Sequence, residues 1–157
     1  MPDSIKQLGH GVLMNGNGGS FGGDVGQLTG FLEIRISNSI TEIPDYAFSM
    51  CGIKSITLGS SVKIVRYSSF FGCEALESIV IPKSVSTIQS YAFYHCTSLS
   101  TVFYEGDAAK WRDVFIGSNG NDIKNATVYF YSEEKPATSG NFWHYVDGIP
   151  TVWEENL

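Results

Sequence analysis

The apolar positions of three stretches of this chain coincide column by column, and that periodicity limits the available folds more than anything else in the sequence. They are residues 40–58 (ITEIPDYAFSMCGIKSITL), 62–81 (VKIVRYSSFFGCEALESIVI) and 85–104 (VSTIQSYAFYHCTSLSTVFY). Seven columns coincide: Ile40/Val62/Val85, Ile43/Val65/Ile88, Phe48/Phe70/Phe93, Cys51/Cys73/Cys96, Ile53/Leu76/Leu99, Ile56/Ile79/Val102 and Leu58/Ile81/Tyr104. The step is 22 or 23 residues, because the first unit is one residue shorter between its Cys and the next Ile. A unit of this length cannot bury its own apolar face, so it must stack on its neighbours in a one-dimensional solenoid.

Each unit can be read physically. Leu76-x-x-Ile79-x-Ile81 ends in the alternation of a short strand with Ile79 and Ile81 inward. Pro82, Lys83 and Ser84 supply turn chemistry. Val85 and Ile88 point back inside, Tyr91-Ala92-Phe93 lies on a short helical or irregular return, and the Cys closes the coil. Stacked strands would make a parallel sheet with a spacing of about 4.8 Å.

The pattern Leu-x-x-Ile-x-Ile-Pro-x-Ser-Val-x-x-Ile-x-x-x-Ala-Phe-x-x-Cys, carried by residues 40–104, resembles the BspA-type leucine-rich repeats of bacterial surface proteins. Residues 131–154 (YSEEKPATSGNFWHYVDGIPTVWE) also look like the terminal segment of some members of that family. The resemblance implies a right-handed α/β-type leucine-rich-repeat solenoid. It also implies an adhesin-like role at the cell surface, binding host extracellular matrix or bacterial surface components. Two departures, Gly59-Ser60 in place of Pro and Ser68-Ser69 in place of Tyr-Ala, are expected to loosen packing locally without changing the fold.

Terminal coils expose apolar edges and need covering. One period before the first unit lie Phe31, Ile34 and Ile36, with Val25 and Leu28 under the Phe and Cys columns, which makes a degenerate repeat. A further step reaches Val12 and Met14, a candidate first strand. Between them runs NGNGGSFGGD (15–24), which has neither dinucleotide-binding spacing nor the Lys-Ser/Thr of a phosphate loop and reads as a plain glycine-rich loop. At the other end, residues 107–116 (DAAKWRDVFI) read as a short helix capped by Asp107, with Trp111 and Phe115 on one face and Trp111 plugging the last coil. Residues 117–122 are a loop, and 126–131 (ATVYFY) a final strand. Residues 142–146 and 149–153 flank Asp147-Gly148 as a hairpin that covers the end of the sheet. The chain is thus expected to be one domain. Residues 1–39 form its degenerate start, 40–104 its regular repeats, and 105–157 a C-terminal cap of helix plus β-hairpin.

The function classes narrow accordingly. A net charge of −6 opposes binding to nucleic acid and to anionic membranes, and no apolar run approaches the roughly 18 residues of a membrane-spanning helix. Met1 to Gln7 lacks the basic start and apolar core of a signal peptide, so the residues themselves leave the cytoplasm open beside the cell surface. The three cysteines fall in one column and match no zinc spacing, so they read as a ladder of buried free thiols. His10, His95 and His144 are scattered, no nucleophile has a base beside it, and no carboxylate pair stands out. Asn125-Ala126-Thr127 is a glycosylation triplet by letter only. The chain is therefore expected to be no enzyme and to hold no metal or cofactor.

What remains is the outward face of the sheet, given by the residues between the inward ones. Its rows are Glu33 and Arg35; Ser55 and Thr57; Ser78 and Val80; Thr101, Phe103 and Glu105; Thr127, Tyr129 and Tyr131. The face is small and polar at its start and aromatic at its end. Val80, Thr101, Phe103, Glu105, Tyr129 and Tyr131 are the candidate binding residues. Exposure of Phe103, Tyr129 and Tyr131 would favour a binding role. Their burial under the 142–153 hairpin would favour a structural scaffold or a capping piece of a larger repeat protein.

Overall fold

A computed structural model describes residues 33–154 of the chain. Its strands are β1 (Glu33–Arg35), β2 (Glu42–Ile43), β3 (Ser55–Thr57), β4 (Ile64–Val65), β5 (Ser78–Ile81), β6 (Thr87–Ile88), β7 (Thr101–Tyr104), β8 (Phe115–Ile116), β9 (Thr127–Tyr131), β10 (Phe142–Val146) and β11 (Ile149–Val152). One helical turn, α1 (Ala108–Arg112), separates β7 from β8. The strands form two sheets in the orders β1-β3-β5-β7-β9-β10-β11 and β2-β4-β6-β8. Pairing is parallel throughout, apart from the closing β10–β11 hairpin. This is a leucine-rich-repeat solenoid. The Val12–Met14 strand, the glycine-rich loop and residues 25–31 of the degenerate repeat lie outside the described residues.

The sequence columns are the ladder register. Ile34 pairs with Ile56, Ile56 with Ile79, Ile79 with Val102 and Val102 with Val128. In the second sheet Ile43, Val65, Ile88 and Ile116 align in the same way. This second ladder was not resolved from sequence, because strands of two residues show no alternation. All seven columns are buried except at Ile40, which is half-buried. The Phe column is a stack of near-parallel rings, Phe48 on Phe70 at 5.2 Å and Phe70 on Phe93 at 5.0 Å. Identical rings recur at one point of each coil, so the coil spacing leaves offset stacking as the close arrangement. The cysteines are free and buried, as the column predicts. The thiols of Cys73 and Cys96 donate to the carbonyls of Phe48 and Phe70, one coil back, at 2.9 and 3.1 Å.

The return turns also form a ladder. Each contains two left-handed residues, Tyr46 and Met50, Ser68 and Gly72, then Tyr91 and His95, with φ between 52° and 71°. A non-glycine residue there costs on the order of 1 kcal/mol. What offsets that cost is the orientation it gives the backbone. The amides of Tyr46, Phe48 and Met50 reach the carbonyls of Tyr67, Ser69 and Phe71 in the next coil, and Phe70 and Gly72 reach Ala92 and Tyr94.

The two departures from the repeat pattern do not loosen the packing. Ser68 and Ser69 are buried, and the Ser69 hydroxyl donates to the Arg66 carbonyl at 2.6 Å. The ring lost at Ser68 is replaced from the preceding position, with Tyr67 at 5.7 Å from Tyr46 and 5.6 Å from Tyr91. At Gly59 a β-carbon would run into the Ser37 carbonyl, so the bare backbone allows the two coils to approach there.

The C-terminal part departs from expectation in one element. Asp107 caps the helix, accepting from the Lys110 amide at 2.8 Å. The helix nevertheless ends at Arg112 rather than at 116, and none of its residues is buried. Phe115 and Ile116 are drawn into the second sheet instead, with the amides of Phe115 and Gly117 on the Ser86 and Ile88 carbonyls at 3.0 and 2.8 Å. Trp111 packs on Tyr104 at 4.9 Å, whereas Phe115 is exposed, so the two do not share a face. The helix lies within the fourth coil, between β7 and β8, where its Trp111 packs against the core. Asn121 does the closing. Its side-chain oxygen accepts the Phe93 amide at 3.0 Å, where earlier Phe residues use a carbonyl of the next coil, and its amide donates to Gln89 and Gly117.

Candidate binding face

Register puts the predicted outward residues side by side. Ser55, Ser78, Thr101 and Thr127 form one row, and Thr57, Val80, Phe103 and Tyr129 the next. The hairpin then changes what this face offers. Asp147 and Gly148 both take positive φ, 50° and 79°, the geometry of a two-residue turn that suits strand twist. β10 pairs with β9 at only two positions, Phe142 with Phe130 and Trp143 with Tyr131. Beyond them the hairpin leaves the plane of the sheet and crosses its outward face. Its tip reaches the first described strand, where the Arg35 guanidinium donates to the Gly148 carbonyl at 2.9 Å.

Trp143 anchors the crossing. It is fully buried, its indole N–H donates to the Tyr104 carbonyl at 3.0 Å, and its ring lies 5.3 Å from both Phe103 and Tyr131 and 4.8 Å from Tyr145. Val80 is consequently buried, Phe103 and Tyr129 are half-buried, and Tyr131 keeps 38% of its surface exposed. The Tyr145 hydroxyl donates to Glu105 at 2.9 Å. Burial raises the Glu105 carboxyl above its usual range, against the opposing effects of that hydrogen bond and of Lys83. Burial and the Glu105 charge raise the Tyr145 phenol.

Among the described residues, two concavities border this face. One, of 140 Å³, lies between the hairpin tip (Ile149, Pro150) and the sheet residues Glu33, Ser55, Ile56, Thr57, Ser78, Val80 and Phe103. The other, of 250 Å³, sits past the strand ends and is lined by Lys83, Glu105, Tyr131 and Tyr145. Thr101, Phe103, Glu105, Tyr129, Tyr131 and Val80 thus share one region, but Val80 is buried at the floor of the first concavity and Glu105 turns toward the second. The sequence places Arg35 in this face and offers the 142–153 hairpin as its cover, but it does not single out Trp143, Tyr145, Ile149 and Pro150 as the residues that make the contact. The alternation at 142–146 shows a strand, and nothing local shows that it returns across residues more than a hundred positions earlier.

The model of the BspA type leucine rich repeat region matches residues 27–128 in six copies. The chain belongs to this family. Two solved structures are similar in part. One is a leucine rich cell surface protein of Faecalibacterium prausnitzii, at 27% identity over 53% of this chain and 28% of that one, with a TM-score of 0.49. The other is a T. pallidum leucine rich repeat protein, at 20% identity over 65% of this chain and 59% of that one, with a TM-score of 0.48. This chain therefore spans less than two thirds of either. No curated protein matches the chain.

Repeats of this family are generally protein-binding modules rather than enzymes. Among the described residues no group of His, Cys, Asp and Glu could hold a metal ion, and no helix is long and apolar enough to cross a membrane. His144 stacks on Trp153 at 3.6 Å and His95 packs on Tyr94 at 4.2 Å; His10 lies outside the described residues. Burial raises the Cys51 and Cys96 thiols to about 12 and Cys73 well above its ordinary value, which leaves all three as core side chains at neutral pH.

Proposed function

We propose that this leucine-rich-repeat chain is a protein-binding module of the bacterial surface adhesin kind, which contacts host matrix proteins or bacterial surface components through the outward sheet face. The groove under the hairpin tip carries this reading. Its centre is apolar (Val80, Phe103, Ile149, Pro150) and its rim polar (Glu33, Thr57, Ser78), the anatomy of a protein interface. Tyr131, a residue type favoured at binding hot spots, is exposed at the far end of the same face, outside this groove. Surface placement and an adhesive role are inferred from membership of the BspA-type repeat family.

The test is binding of the purified chain to a panel of immobilised extracellular matrix proteins. Phe103→Ala and Tyr129→Ala truncate the aromatic rows, and Thr57→Arg blocks the groove without touching the core. Binding should fall about tenfold or more in Thr57→Arg and in at least one aromatic variant. Unchanged affinity in all three would overturn the sheet-face assignment. A second reading, a scaffold or capping piece of a larger repeat protein with no ligand of its own, is favoured by the cover that Trp143 places over Phe103. It predicts no binding to any panel member.

A further inference from the structure

Apart from the groove, the cavity of 250 Å³ past the ends of β5, β7 and β9 has a lining of unusual balance. One cation (Lys83), one carboxylate (Glu105) and two phenols (Tyr131, Tyr145) face the same space. The tyrosine rings lie 6.1 Å apart and are inclined by 49°, forming two walls of a corner. Glu105 accepts the Tyr145 hydroxyl on one oxygen, and its other oxygen accepts from no described residue. Lys83 forms no ion pair within 4.0 Å among the described residues. A carboxylate with one oxygen left over and an ammonium without a close ion pair thus open on an aromatic corner.

We propose that this cavity holds one neutral pyranose residue of a glycan. The charges offset one another for a simple ion. An anion drawn by Lys83 meets Glu105, and a cation drawn by Glu105 meets Lys83 and Arg35, whose charge is felt at Tyr145. A ligand group that is donor and acceptor at once satisfies both sides, and a hydroxyl is such a group. Vicinal hydroxyls of a sugar ring can bridge Lys83 and Glu105 while its C–H face lies on the exposed Tyr131 ring. The volume suits a single ring, being below the roughly 300–1,000 Å³ of sites for drug-sized ligands. Glu105 is already partly desolvated within the folded chain, so less of its hydration remains to be removed on binding. The site stands apart from the protein-binding reading of the groove, and either can fail alone.

The test is an NMR titration of the full chain with methyl pyranosides of glucose, galactose, mannose and N-acetylglucosamine. The Trp143 indole signal serves as the reporter, since that ring touches both tyrosines. Glucuronate and arginine methyl ester are the charged comparators. At least one neutral glycoside should give a saturable shift with a Kd on the order of millimolar, and Tyr131→Ala and Lys83→Met should each weaken it about fivefold or more. Lys83 is exposed, so its variant reads the site without disturbing the fold. The proposal is overturned if no glycoside saturates the signal, if binding survives unchanged in Lys83→Met, or if a charged comparator binds more tightly than every glycoside.

Discussion

Replacing Trp143 by alanine should release the hairpin while leaving the coils folded. Trp143 is fully buried, donates to the Tyr104 carbonyl and touches three aromatic rings. Truncating such a side chain costs about 3–5 kcal/mol. The loss should fall on the hairpin, because little else holds it. Two residue pairs join it to β9, and single hydrogen bonds tie Tyr145 to Glu105, Gly148 to Arg35 and the Trp153 indole to Ser132. Each such bond contributes about 0.5–1.5 kcal/mol, and a free two-stranded hairpin is marginal in water. The coil columns make their contacts with one another, so their stability survives the opening. The opening equilibrium of the hairpin should rise by about 10²–10³-fold or more. Hydrogen exchange read by mass spectrometry checks this, with peptides covering 142–153 losing protection while those covering β5 and β7 keep theirs. Trp143→Phe, which keeps a ring but loses the indole donor, should fall between. The reasoning fails if the hairpin stays as protected as in the parent chain, or if β5 and β7 open together with it.

Two further outcomes follow from the interior. Ser69→Ala should change stability by no more than about 1 kcal/mol in urea unfolding, although it deletes a buried hydroxyl. The carbonyls near that hydroxyl, those of Ile43, Pro44 and Arg66, already accept the amides of Arg66, Ala47 and Ser69, so the substitution leaves no acceptor unpaired; a loss above about 2 kcal/mol would contradict this. The three cysteines should resist a thiol reagent at pH 8 in the native chain and react fully in guanidinium, because burial lifts Cys51 and Cys96 to about 12 and Cys73 far above its ordinary value. Prompt labelling of any of them in the folded protein would show that the column is open.

Much of the fold is legible in the sequence because a solenoid turns long-range pairing into a local count. One period along the chain is one strand across the sheet, so aligning Ile56 with Ile79 and Val102 also gives their ladder register. Reading fails where that equivalence lapses. The two-residue strands of the second sheet are too short for alternation to show, and residues 113–116 kept their helical spacing on paper while the open edge of β6 claimed Phe115 and Ile116. There the edge of a growing sheet offers backbone pairing that a frayed helix end cannot match.

The binding face shows the same limit in sharper form. Alternation placed Ser55, Ser78, Thr101 and Thr127 in one outward row and Thr57, Val80, Phe103 and Tyr129 in the next, and the structure keeps those rows, while Glu105 and Tyr131 fall at the strand ends beyond them. What alternation cannot supply is the fate of a chain that leaves the repeat. Asp147-Gly148 specifies a hairpin, and Trp143 and Tyr145 on one side of it need an apolar, hydrogen-bonding place to rest. The nearest such place is the aromatic end of the sheet, which Phe103, Tyr129 and Tyr131 make. Those side chains therefore serve two ends. They receive the hairpin, and Phe103 then forms with Ile149 and Pro150 a groove that a flat sheet of serines and threonines would not have. A variant that frees the hairpin without unfolding the coils, such as Trp143→Ala, separates the two roles. If the bare aromatic rows bind a partner, affinity rises on release; if the groove does, affinity falls.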